Sequence, residues 1–180
     1  MNLEKHIIDT VKEWQVKIGY REGNMKLYYP EKSLKNMLGL AENADNETQL
    51  KPAIEAFIRR EEPVLGKIAV SGNEGRYCLD IPPKGCAYIA GQIPEPEFLR
   101  RFLTVITTPG NTMEQVRDCF LTYAKEHNTS VIEESMDEEE HGGHAFSFAD
   151  AGVEEYVYCV EENEFGLTYH RFVREDYEEL

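Results

Sequence analysis

Tyr156-Val157-Tyr158-Cys159-Val160, a turn at Glu162-Asn163-Glu164, and Gly166-Leu167-Thr168-Tyr169-His170-Arg171-Phe172-Val173 together decide the fold. Side-chain character changes every second residue, the period of a β-strand, so the stretch reads as a hairpin. Tyr156, Tyr158 and Val160 face one way, and Val157 and Cys159 the other. A strand that is apolar on both faces belongs inside a sheet, not at its edge. Upstream, Ser130-Val131-Ile132-Glu133 reads as a further short strand, followed by the acidic run Asp137-Glu138-Glu139-Glu140.

A second hairpin lies earlier in the chain. Lys67-Ile68-Ala69-Val70 and Arg76-Tyr77-Cys78-Leu79-Asp80-Ile81 alternate around Ser71-Gly72-Asn73-Glu74-Gly75. Ile68, Val70, Tyr77, Leu79 and Ile81 are expected on its buried face, and Pro82-Pro83 to stop the sheet.

The remaining segments carry a helical period. Leu3, Ile7, Val11, Trp14 and Ile18 line one face of a helix over residues 2–19, between an Asn2 cap and a Gly19 stop. After the extended Lys26-Leu27-Tyr28-Tyr29, Pro30 suits the start of a short helix bearing Leu34, Met37 and Leu38. Ala41 to Thr48 reads as a polar loop, and a third helix from about Leu50 carries Ile54, Phe57 and Ile58. Glu97 to Thr107 is a core helix through Phe98, Leu99, Phe102, Leu103 and Ile106. Thr112 then caps another, with Gln115 as its reciprocal partner in a capping box. Helices early and strands late make an α+β class protein. The expectation is a single domain over residues 1–180, a mainly antiparallel sheet of about five strands with helices packed on one face.

Charge narrows the function. From Ile132 to Leu180 there are sixteen acids against two bases, a balance of -14, while the chain as a whole carries -15. Such a field repels phosphates and anionic lipid and attracts cations or basic protein surfaces. Neither nucleic acid nor membrane is therefore expected as a partner, and no apolar run is long enough to span a bilayer. The charged, amphipathic start has no signal-peptide pattern, so the expected compartment is the cytoplasm. Cys78, Cys86, Cys119 and Cys159 form no Cys-x-x-Cys pair, and read as small core hydrophobes.

No motif fixes a reaction. Gly72-Asn73-Glu74-Gly75 lacks the Lys-Ser/Thr ending of a phosphate loop, and neither a Gly-x-Ser-x-Gly elbow nor a zinc-deaminase signature occurs. One constellation points to chemistry: His141 and His144 beside Glu138, Glu139 and Glu140, with His170 as a third imidazole. Such a set would suit a divalent metal and a metal-dependent hydrolase or metal-binding enzyme. Against it, His-Gly-Gly-His places two flexible glycines where a pre-organised helix is wanted. His170 and Arg171 are strand neighbours and point to opposite faces.

Leu27-Tyr28-Tyr29-Pro30 with Ser33-Leu34 and Leu38, Ile81-Pro82-Pro83-x-Gly85, and Tyr169-His170-Arg171-Phe172 with Glu175-Asp176-Tyr177 resemble a bacterial family, mainly from gut Firmicutes, known as a domain of unknown function. The resemblance implies a single bacterial cytoplasmic domain and supplies no activity.

The leading expectation is a non-catalytic cytoplasmic binding protein without a cofactor. Its acidic C-terminal surface, including Asp137, Glu138, Glu139 and Glu140 with Arg171, would dock a basic protein, an inhibitor or immunity-like protein being one form. The alternative is the metal site of His141, His144 and His170.

Overall fold

Period-two segments around Leu27 and Leu79 form one sheet, those around Phe146 and Tyr158 a second, and amphipathic helices cover each. The computed structural model describes residues 2–73, 75–136 and 143–178. The chain folds as two compact units, Met1–Glu95 and Pro96–Leu180.

In the first unit, α1 (Leu3–Ile18) is capped by Asn2, whose Oδ1 accepts from the Lys5 N–H at 2.9 Å. Gly19 ends it at φ +78°, in the left-handed region that glycine alone enters without strain. Leu3, Ile7 and Val11 are buried, but Trp14 and Ile18, expected beside them, are 46% and 47% exposed. The later half of α1 turns polar groups toward α4 (Pro83–Gln92) instead. Lys12 Nζ donates to the Ile89 and Ala90 carbonyls at 3.4 Å, and Gln15 Nε2 to that of Cys86 at 2.8 Å. The negative end of the helix dipole favours a cation and so selects Lys12, which shares the Ile89 carbonyl with the Ile93 N–H at 3.2 Å.

Helix α4 was not expected. Pro82-Pro83 reads as a sheet stop, yet proline is equally at home in a helix's first turn, and Pro83 opens α4. Gly85 lets α4 lie against the end of α3 (Lys51–Leu65), because a Cβ there would sit 2.6 Å from the Leu65 carbonyl oxygen.

The first sheet is antiparallel, in the order β1 (Met25–Pro30), β3 (Arg76–Ile81), β2 (Ala69–Asn73). Leu27 and Val70 both pair with Leu79. Leu27, Tyr29, Leu79 and Ile81 share a core with Leu34 of α2 (Glu31–Met37) and Ile54 and Phe57 of α3. Val70, expected in that core, is 36% exposed on the edge strand β2. A π-helical turn at Asn46–Leu50 leads into α3, so the expected loop ends earlier than Thr48.

The second unit opens with α5 (Glu97–Thr107) and α6 (Met113–Glu126), the latter with the expected Thr112/Gln115 capping box. Four antiparallel strands follow in chain order: β4 (Val131–Ser135), β5 (Gly143–Phe148), β6 (Tyr156–Asn163) and β7 (Gly166–Val173). Strand β6 is interior, as its two apolar faces required. Phe98 is the hub of the core, its ring 4.7 to 6.2 Å from those of Phe102, Phe120, Tyr123, Phe148 and Tyr158. Behind the sheet, Ala145, Val157 and Cys159 pack with Met136, Phe172 and Tyr177, the last from the short helix α7 (Arg174–Tyr177).

The α+β class holds, but the single five-stranded sheet does not: among the described residues there are two sheets, of three and four strands. Lys26–Tyr29 is itself a sheet strand, and β5 adds another beyond the acidic run. All four cysteines are free, with Cys86 and Cys159 buried. No helix among the described residues is long and apolar enough to cross a membrane.

Candidate functional site

The division into units is also a division of charge. Met1–Glu95 holds fourteen acids and thirteen bases, and Pro96–Leu180 holds twenty acids and six bases, a balance of -14. Four of those six bases are engaged inside the second unit. Arg101 donates to Glu97 and Glu126 at 2.6 and 2.7 Å. Arg117 grips Glu133 through Nε and Nη2 at 2.8 and 2.6 Å, and these hydrogen bonds hold the Glu133 carboxyl below its ordinary range. Arg171 stacks over Tyr156, 4.0 Å from the ring centroid, and Arg174 donates to the Phe148 carbonyl at 2.8 Å. Much of the acidic surface is therefore uncompensated.

The β6–β7 end of the second sheet carries both acids and an exposed aromatic side chain. Strand β6 runs through Glu161 and Glu162 to Asn163, which pairs with Gly166 across the Glu164-Phe165 turn. Asn163 Oδ1 accepts from the Phe165 N–H at 2.9 Å, fixing the turn, and the Phe165 side chain is 91% exposed. Glu162 Oε2 accepts from the Met113 N–H at 2.9 Å, which ties the tip to the start of α6, where the helix dipole favours a carboxylate. Strand β4 ends and β5 begins at this same end, since Ser135 pairs with His144 and Gly143 with Glu161.

Beside the tip, a cleft of about 440 Å³ runs between the α5–α6 loop and the β6–β7 turn. Ile106, Pro109 and Leu167 give it apolar walls, and its charged lining among the described residues is Glu162 and Glu164 alone. Two larger clefts, each about 500 Å³, differ in kind. One, between α3 and the β2–β3 hairpin, mixes Glu31, Glu47 and Glu55 with Lys51 and Arg76. The other, on α5 and α6, carries Arg100 and Arg101 with Asp118.

Of the residues singled out in the sequence, Asp137, Glu138, Glu139, Glu140 and His141 lie outside the described residues. His144 and His170 are not brought together. His144 pairs with Val160 and His170 with Cys159, and these neighbours on β6 point to opposite faces. His144 Nδ1 lies 2.9 Å from Glu133 Oε1, though off the line of a hydrogen bond, while His170 is on the face behind the sheet. Among the described residues no three His, Cys, Asp or Glu side chains converge to hold a metal. Arg171 is on the helix-covered face, opposite His170, near Glu154, whose carboxyl is pushed up by burial against the opposing pull of Arg171.

Phe165 was overlooked in the sequence, although a phenylalanine between Glu164 and Gly166 at a hairpin tip breaks the polar rule for turns. No curated protein and no solved structure matches the chain. Residues 1–180 match the family described as a domain of unknown function, E. rectale gene description (DUF3877), as the resemblance implied, and the chain belongs to that family.

Proposed function

We propose that this is a non-catalytic cytoplasmic binding protein whose second unit docks a basic protein. The observation that carries the reading is the coincidence of charge with fold: one unit is near neutral, and the other holds twenty acids whose six local bases are largely spent on internal contacts. A one-signed surface speeds encounter with an oppositely charged partner and rejects like-charged ones. An inhibitor or immunity-like role is one concrete form, with the partner's basic face covered.

Capture from a native lysate tests it, at about 0.01 M and about 1 M salt, where the screening length falls from about 30 to about 3 Å. The expected result is a basic protein retained at low salt and released at high salt. Retention indifferent to salt, or no retained basic protein, overturns the reading.

A further inference from the structure

Phe165 is the most exposed large apolar side chain described in the chain, and it is held out on a turn fixed from both sides. An isolated exposed apolar residue is unremarkable in itself. This one stands beside a cleft with apolar walls whose charged lining among the described residues is Glu162 and Glu164, both within three residues of Phe165. Aromatic side chains, phenylalanine among them, are enriched at protein interfaces relative to the rest of the surface. The charge of the cleft selects the occupant: a cationic segment is attracted, and a lone cation would leave the apolar walls and Phe165 uncovered.

We propose that the β6–β7 tip is the anchor point of the docking surface and takes a basic amphipathic segment of the partner. An apolar side chain of that segment seats against Phe165 and the Ile106, Pro109 and Leu167 walls, while its lysines or arginines meet Glu162 and Glu164. This rests on the acidic docking reading and adds to it the kind of segment recognised. Charge brings the segment in, and the apolar contact slows its departure.

Two peptides with the same number of lysines separate the parts: an oligolysine and an amphipathic lysine–leucine helix, each titrated calorimetrically into the full chain at low salt. The lysine–leucine peptide is expected to bind about tenfold or more tightly, the gain from seating one leucine side chain. Phe165→Ala should bring the two peptides within about twofold of each other and leave oligolysine binding unchanged. Trp14→Ala, which removes an exposed apolar side chain in the first unit, should leave the gain intact. Equal affinities for the two peptides, a gain that survives Phe165→Ala, or a gain abolished equally by Trp14→Ala overturns the anchor and leaves acidic docking standing. If neither peptide binds at low salt, acidic docking itself fails. Phe165 makes so little contact that the variant should melt with the parent, which a circular dichroism scan verifies.

Discussion

Gly85→Ala and Gly91→Ala place the same methyl group on the same helix, α4, with opposite consequences. Alanine is favoured over glycine in a helix interior by about 1 kcal/mol, so propensity alone makes both changes stabilising. At Gly91 a Cβ meets nothing within 4 Å, and the gain is kept, somewhat reduced near the helix end. At Gly85 the Cβ would sit 2.6 Å from the Leu65 carbonyl oxygen and 3.0 Å from Ile81 Cγ2. A carbon and a carbonyl oxygen ordinarily approach to about 3.3 Å, so α4 must retreat from α3 by roughly 0.7 Å. Retreat opens the contacts of Cys86 and Ile89, both buried in the core. Overpacking of this kind costs about 1 to 3 kcal/mol. Because propensity nearly cancels within the pair, Gly85→Ala should be less stable than Gly91→Ala by about that amount. Urea unfolding followed by far-ultraviolet circular dichroism measures the gap, and fluorescence of Trp14, the one tryptophan, reports on the first unit. With slopes of about 1 to 3 kcal/mol per molar urea, midpoints should separate by about 1 M. Coincident midpoints, or a Gly85→Ala protein at least as stable as Gly91→Ala, would refute the close approach of α4 to α3.

Phe98→Ala removes the ring shared by five aromatic neighbours and should cost about 3 to 5 kcal/mol in a urea melt. Thr112→Ala opens the capping box of α6 and should cost about 1 kcal/mol, with Thr112→Gly milder, and equal stability of all three proteins would argue against the cap. Acidification acts with opposite signs through Glu154 and Glu133 in the second unit, while Glu31 and Asp45 in the first, both held low by hydrogen bonds, act in the same sense as Glu133. Burial raises the folded pKa of Glu154, so its contribution to stability is complete below its unfolded value and is lost as pH rises through the folded one. Arg117 lowers that of Glu133, whose contribution is present above the ordinary value of 4.5 and is lost as pH falls through the folded value. Stability should therefore rise as pH falls toward the ordinary carboxyl value of 4.5 and decline below it, with Glu154→Gln flattening the rise; melting temperatures that fall steadily from pH 7 would contradict it.

The elements legible in the sequence are those with a regular stripe or a sustained alternation of side-chain character. Helices α5 and α6 have one apolar stripe and clear ends, and β6 alternates between large aromatic and small apolar side chains. Strand β5 is harder to read because its alternation, Ala145-Phe146-Ser147-Phe148, is short, follows two glycines and lacks the β-branched residues that mark β6 and β7. Helix α4 was hidden by the double meaning of Pro82-Pro83. Trp14 and Ile18 match the period of α1, but periodicity cannot reveal that Lys12 and Gln15 find carbonyls on a neighbouring helix. For the candidate site, counting charges located the acidic part. It did not find Phe165, whose importance comes from exposure and from a cleft formed with the distant α5–α6 loop.

The strand order of the second sheet has a kinetic consequence. Each strand from β4 to β7 pairs with its neighbour in the chain, so its partner is near in sequence, most closely at Asn163 and Gly166. In the first sheet, β1 must find β3 with Pro30 opposite Arg76, 46 positions later. Joining ends that far apart costs about 2 kcal/mol more in chain entropy than closing a tight hairpin. Rates of folding fall as contacting residues become more distant in sequence. The acidic meander should therefore acquire protection from hydrogen exchange before β1 does, and the slow step of folding should be the return of the chain to β1.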